Sequence, residues 1–140
     1  MADTIFPRSP RETMCGWMHL PRFIDKIRLH LAKKLHADYQ PNLGKGFDGQ
    51  WLDAAGVKFE PFVEVVKESI TDGQVADWVR ENVRKSEAEK RAHAERMLNY
   101  PADDVAGQAR LRLRKDQRGF ADRDEIQTFI DFIDADENRL

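Results

Sequence analysis

The chain holds 140 residues, of which 34% are charged, and its formal net charge is −2 at pH 7. That balance excludes a surface globally attractive to nucleic acid or to an anionic membrane. No apolar run approaches the roughly 18 residues that a membrane span needs. Leu, Ile, Val and Phe make up 33 of the 140 residues, above the roughly 20% below which chains stay disordered. The length fits one domain spanning residues 1–140. A lone cysteine can form no internal disulfide, which fits a reducing cytosol and a cytoplasmic location. Met1 to Pro7 shows no basic segment followed by an apolar stretch, so no secretory leader is expected.

Residues 1–19 read as an N-terminal arm. Pro21 then opens a helix in which Leu20, Ile24, Ile27, Leu31 and Leu35 share one face. Residues 36–47, with Pro41, Gly44 and Gly46, read as a loop. Asp48 is placed to cap a short helix that carries Trp51 and Leu52 and stops at Gly56. Pro61 opens the next helix, with Phe62, Val63, Val66 and Ile70 on one face. Thr71-Asp72-Gly73 breaks it, and Val75, Trp78, Val79 and Val83 form another stripe. Ser86 and Glu89 have the spacing of a capping box; the helix they start ends at Pro101. Asp103 or Asp104 starts a further helix with Val105, Ala109 and Leu113 in line, although residues 110–114 also alternate like a strand. Gly119 stops it. The run from Asp122 to Glu125 starts a last helix with Ile126, Phe129, Ile130 and Ile133, leading to an acidic end at 131–140. No pair of strand-like runs flanks a hairpin turn. The expected fold is all-α, a compact bundle of six or seven short helices with no substantial sheet.

Charge is distributed in blocks. Residues 1–47 carry +4, 48–83 carry −5, 84–118 carry +4 and 119–140 carry −5. Such blocks form solvated faces, or surfaces that meet a partner.

Several residues carry candidate chemistry. Pro7-Arg8-Ser9-Pro10-Arg11-Glu12 combines stiff backbone with guanidinium forks that suit carboxylate or phosphate oxygens. Arg22 and Lys26 follow on the first helix. Either these groups form an anion site near the helix N-terminus, or the arm straps the body with its arginines paired to internal carboxylates. Cys15 and His19 would share a face if their segment were helical, but no third group orients them, and a packed structural cysteine is the commoner outcome. The four histidines lack zinc-ligand spacing. Asp134-Ala135-Asp136-Glu137-Asn138 opens like a calcium loop, yet Arg139 stands where glycine is required and the twelfth position does not exist. The loop from Asn42 to Asp48 lacks phosphate-loop spacing, and more plausibly turns tightly to insert Phe47. Arg110, Arg114 and Arg118 recur at helical spacing and could track phosphates, but no aromatic residue is interleaved among them.

The same residues carry a resemblance. Pro7 to Glu12, Gly16, Leu20-Pro21-Arg22 and Ile24-Asp25-Lys26 resemble the opening of a bacterial domain of unknown function, family 5069. Leu43 to Gly49, Trp51-Leu52 and Ala55-Gly56 are similar to its second block, and Asp134 to Arg139 to its acidic end. The resemblance implies one compact domain and draws attention to Arg8, Arg11, Arg22, Asp25, Lys26 and Asp48. It implies no reaction.

The expected function is therefore a binding or interaction module with an arginine-lined anion site on the arm and first helix. A catalytic role is not favoured, and no catalytic residue, metal or cofactor is expected. The ligand would be an anionic small molecule or a protein partner, with no membrane and with nucleic acid disfavoured. One alternative is a small-ligand protein or enzyme, with a pocket between the first helix and loop 42–49 and Asp25, Asp48 or His19 as acid or base. Another is nucleic-acid contact through helix 110–118.

Overall fold

The computed structural model describes residues 4–140. Residues 1–3, which begin the segment read as leader-free, lie outside it. Among the described residues the chain forms seven α-helices, one 3-10 helix and a two-stranded ribbon. The fold is mainly all-α, as helical spacing predicts. No helix is long and apolar enough to cross a membrane. The contacts fall into two compact units, one reaching to His93 and the other Ala94–Leu140.

In the first unit the arm, residues 4–12, has no regular structure. It runs into a hairpin of β1 (Thr13–Met14) and β2 (Trp17–Met18), antiparallel with Met14 opposite Trp17. This corrects the expectation of no hairpin. The turn is Cys15-Gly16, with φ 55° and 80°, the double positive φ of a two-residue hairpin turn. Cys15 and His19 therefore do not share a helical face.

Helix α1 (Leu20–Leu31) has His19 at its N-cap, in the left-handed region at φ 77°, and a proline in its first turn. It ends at Leu31 because the chain turns left-handed at Lys33, so Leu35 is buried from outside the helix. The segment read as a loop holds a 3-10 helix, Ala37–Asn42, whose first turn is closed by the His36 side chain accepting from the Asp38 N–H.

Helix α2 (Phe47–Ala55) starts at Gly46 and stops at left-handed Gly56. Asp48 lies inside its first turn and is not its N-cap. Helix α3 (Phe59–Glu68) ends before Ile70, which is 86% exposed rather than part of the apolar face. Thr71 does more than break the chain. It forms a capping box with Gln74 that starts α4 (Asp72–Asn82). The unit's core gathers Trp17, Leu20, Phe23, Ile24, Ile27, Trp51, Phe62, Val66, Val75 and Val79 around these helices. Trp51 packs on Phe62 with ring centroids 4.9 Å apart. Trp78 is only partly buried against this core.

Helix α5 (Glu87–Asn99) begins with the expected capping box: the Glu89 N–H donates to Ser86 Oγ at 3.1 Å and the Ser86 N–H donates to Glu89 Oε1 at 3.2 Å.

The second unit contains α6 (Val105–Gln117) and α7 (Phe129–Asp136). In α6 the expected stripe faces outward, with Val105 79% and Leu113 55% exposed, while Gly107 and Leu111 are buried. Gly107 has no side chain to separate the helix from Pro101 and Tyr100. An added Cβ there would meet Pro101 Cβ at 2.8 Å. Helix α7 starts at Thr128 through a capping box with Asp131, later than Asp122, and residues between Gly119 and Gln127 form turns. Leu111, Ile126, Phe132 and Ala135, with Phe120 and Phe129, form this unit's core. The acidic end is not simply solvated. Asp134 and Glu137 are buried and pair with Arg139 at 3.5 Å and 2.5 Å.

Candidate functional site

The arm is held by charge. The Arg8 backbone N–H and Nε donate to Asp25 Oδ2 at 2.8 Å and 2.9 Å, and Nη2 donates to Oδ1 at 2.9 Å. Its Nη1 also lies 2.9 Å from Asp72 Oδ2, while Arg28 on α1 reaches Asp72 Oδ1 at 2.5 Å. The fork is thus filled by carboxylates from α1 and α4, which is the strap geometry. The hydrogen bond with Asp25 raises the Arg8 pKa further above its ordinary value, and the Arg8 and Arg28 bonds hold Asp72 below the usual carboxylate range despite the opposing effect of burial. Arg22, buried on α1, donates from Nη1 to the Arg8 carbonyl at 3.2 Å and lies over the Tyr39 ring. Arg11 is exposed on the adjoining turn, its backbone N–H donating to Ser9 Oγ.

Lys26 and Asp48 belong to a second cluster that also includes His19. All three are buried, Asp48 completely. Asp48 accepts from His19 Nε2 at 2.6 Å, Lys26 Nζ at 2.7 Å and the Gly44 N–H at 3.0 Å. Gly44 is needed there: its φ is +78°, and a Cβ would stand 2.7 Å from the Phe59 ring. Burial raises a carboxyl pKa, but the bonds from His19 and Lys26 overcome that and hold Asp48 ionised, below the usual range. His19 is driven down chiefly by burial, and by the nearby Lys26 and Arg22 charges, against the pull of Asp48. The imidazole is therefore neutral, with its proton on Nε2 facing Asp48. Nδ1 is buried with no hydrogen-bond partner among the described residues. The six singled-out residues thus divide. Arg8, Asp25 and Arg22 fasten the arm, Lys26 and Asp48 form a buried ion pair, and Arg11 lies exposed on the turn after Ser9.

A third feature was missed in the singled-out set. A cavity of about 370 Å³ opens in the first unit, lined by Cys15 and Trp17 of the hairpin, Arg80 on α4, Arg84 and Lys85 after it, and Lys90 on α5. The remaining lining residues are Val79 and Val83, so no carboxylate or amide side chain lines it. Lys90 is anchored by donating to the Cys15 carbonyl at 2.8 Å, with its Nζ 5.9 Å from the Trp17 ring centroid. The half-buried Lys90 also lies 3.5 Å from the exposed Glu87, while Arg80 and Lys85 make solvated pairs with Asp77 and Glu89 at 3.0 Å and 3.8 Å. Such solvated pairs are weak and exchangeable. Arg84 is exposed and has no ion-pair partner among the described residues. The signal in the sequence was the abrupt change from −5 to +4 that begins at Arg84-Lys85.

The basic series of α6 lies in the second unit. Arg118 bonds Asp136 at 2.8 Å, and Arg110 bonds the Tyr100 hydroxyl and approaches Asp104 at 4.0 Å.

The profile of the family described as Domain of unknown function (DUF5069) matches residues 4–139, and the chain belongs to that family. No curated protein matches it significantly.

Proposed function

We propose that this member of the DUF5069 family is a binding module whose anion site is the cationic cavity between the hairpin, α4 and the start of α5. The carrying observation is that four cationic side chains line one cavity to which no acidic side chain contributes. Its volume lies within the ~300–1,000 Å³ common for small-ligand sites. Arginine forks and a fixed ammonium suit phosphate or carboxylate oxygens. The arm supports this reading less well, because the Arg8 fork is filled by Asp25 and Asp72.

Thermal melting with orthophosphate tests the proposal. A ligand at 100 times its dissociation constant stabilises by about 2.7 kcal/mol. The wild type should melt later with phosphate, and an Arg84→Gln/Lys85→Gln variant should lose most of that gain. Arg8→Gln should melt earlier than wild type, by about 1–2 kcal/mol for a partly solvated network, yet keep the phosphate-induced gain. If Arg8→Gln abolishes the gain and the double variant keeps it, the site is on the arm.

A further inference from the structure

We propose that α6 pairs with α6 of a second copy of this chain, antiparallel, about a two-fold axis at Ala109. Gly107 and Leu111 turn one side of the helix into its own unit. The other side carries Val105, Ala109 and Leu113 at i, i+4 and i+8, a spacing that aligns them on one helical face. All three are exposed, Val105 by 79% and Leu113 by 55%. Single exposed apolar residues are ordinary, whereas an aligned ridge marks a surface that gains from being covered.

The ridge is built to meet its own copy. In a two-fold contact each residue faces its counterpart across the axis, and a residue on the axis faces itself. Ala109 is small and uncharged, so two copies can approach closely there. Val105 and Leu113 stand four residues to either side, so each Val105 lies opposite the other copy's Leu113. Charge runs the same way. Exposed Asp103 and Asp104 precede the helix, while its second half carries exposed Arg112 and Arg114, with Asp116 as the only acid. Arg112 and Arg114 make no ion pair or side-chain hydrogen bond among the described residues. Antiparallel pairing lays the basic half of each helix beside the acidic end of the other and opposes the two helix dipoles. Parallel pairing would set arginine against arginine.

The area sets the strength. The helix has 13 residues, so the face is about 20 Å long and about 10 Å wide. That is well short of the roughly 800 Å² per partner of a standard stable interface. The pairing is therefore weak and governed by protein concentration.

Sedimentation equilibrium of the full chain from about 10 µM to about 1 mM tests the pairing, and cysteine cross-linking tests its direction. The average mass of the wild type should rise with concentration toward twice the monomer mass, and Leu113→Glu should stay monomeric. In a Cys15→Ser background, oxidation should cross-link Ala109→Cys to itself, and should cross-link Val105→Cys to Leu113→Cys when the two chains are mixed. Val105→Cys alone should link several-fold less, because its two copies lie about 12 Å apart along the pair, beyond disulfide reach. A wild type that is monomeric at every concentration would overturn the proposal and leave the ridge to a different partner. Association unchanged in Leu113→Glu, or Val105→Cys linking to itself better than to Leu113→Cys, would also overturn it.

Discussion

Asp48 accepts from an imidazole, an ammonium and a backbone amide while fully buried. Its role is set by what its removal leaves behind. Asp48→Asn strands the buried Lys26 ammonium, and should cost about 3–5 kcal/mol in urea unfolding, as broken buried pairs do. His19 supplies a pH signature. Its folded pKa is lowered from the ordinary value of 6.5, so the unfolded chain takes up the proton first. Its contribution is full above that value and declines as pH falls below it, by at most about 1.4 kcal/mol per pH unit for one proton. Asp48, also lowered, adds a loss at more acid pH, as pH falls from its ordinary 3.8 through the folded value. His19→Gln should flatten the wild-type decline in stability between about pH 6.5 and pH 5. An identical slope in the variant would show that His19 does not titrate this way. None of this pairing is legible from spacing alone, since 29 residues separate His19 from Asp48. The family resemblance drew attention to Lys26 and Asp48, but it could not say that they bind each other.

At the scale of elements, the punctuation of the sequence was mostly sufficient. Proline and glycine marked α1 and the end of α2, and the Ser86 capping box starts α5 where its spacing puts it. The failures have separate physical causes. The hairpin strands are two residues each, too short to show alternation, and Cys-Gly replaces the Asn-Gly that usually announces such a turn. In α6 the apolar stripe at Val105 and Leu113 suggested a buried face, but close approach through Gly107 put the opposite face inward. Thr71 was read as a breaker because threonine both ends and starts helices. As an N-cap that receives the Gln74 N–H, its replacement by Ala should cost about 1 kcal/mol. Gly44 is more constrained. Gly44→Ala combines a positive φ with a contact of 2.7 Å to Phe59 and removes freedom at the donor to Asp48. It should therefore destabilise more than Thr71→Ala does, as denaturant midpoints for the two variants will show.

At the scale of the whole molecule, the alternating charge blocks serve two purposes. Part of the first positive block meets the following negative one inside the fold: Arg8 and Arg28 converge on Asp72, and Lys26 on Asp48. The positive block that begins at Arg84 contributes three cations to an open cavity. The first kind of positive charge is neutralised by carboxylates of α1, α2 and α4, whereas in the second Lys85 and Lys90 meet only the exposed carboxylates of Glu89 and Glu87, and the proposed reading gives those cations to an external anion. Titration of isotopically labelled protein with orthophosphate, followed by amide NMR, tests that distinction most directly. Saturable shifts should centre on Cys15–Trp17, Arg84–Ser86 and Lys90, leaving Arg8 and Arg11 still. Saturable shifts centred on the arm, or none at any phosphate concentration, would contradict the assignment of the anion site to this cavity.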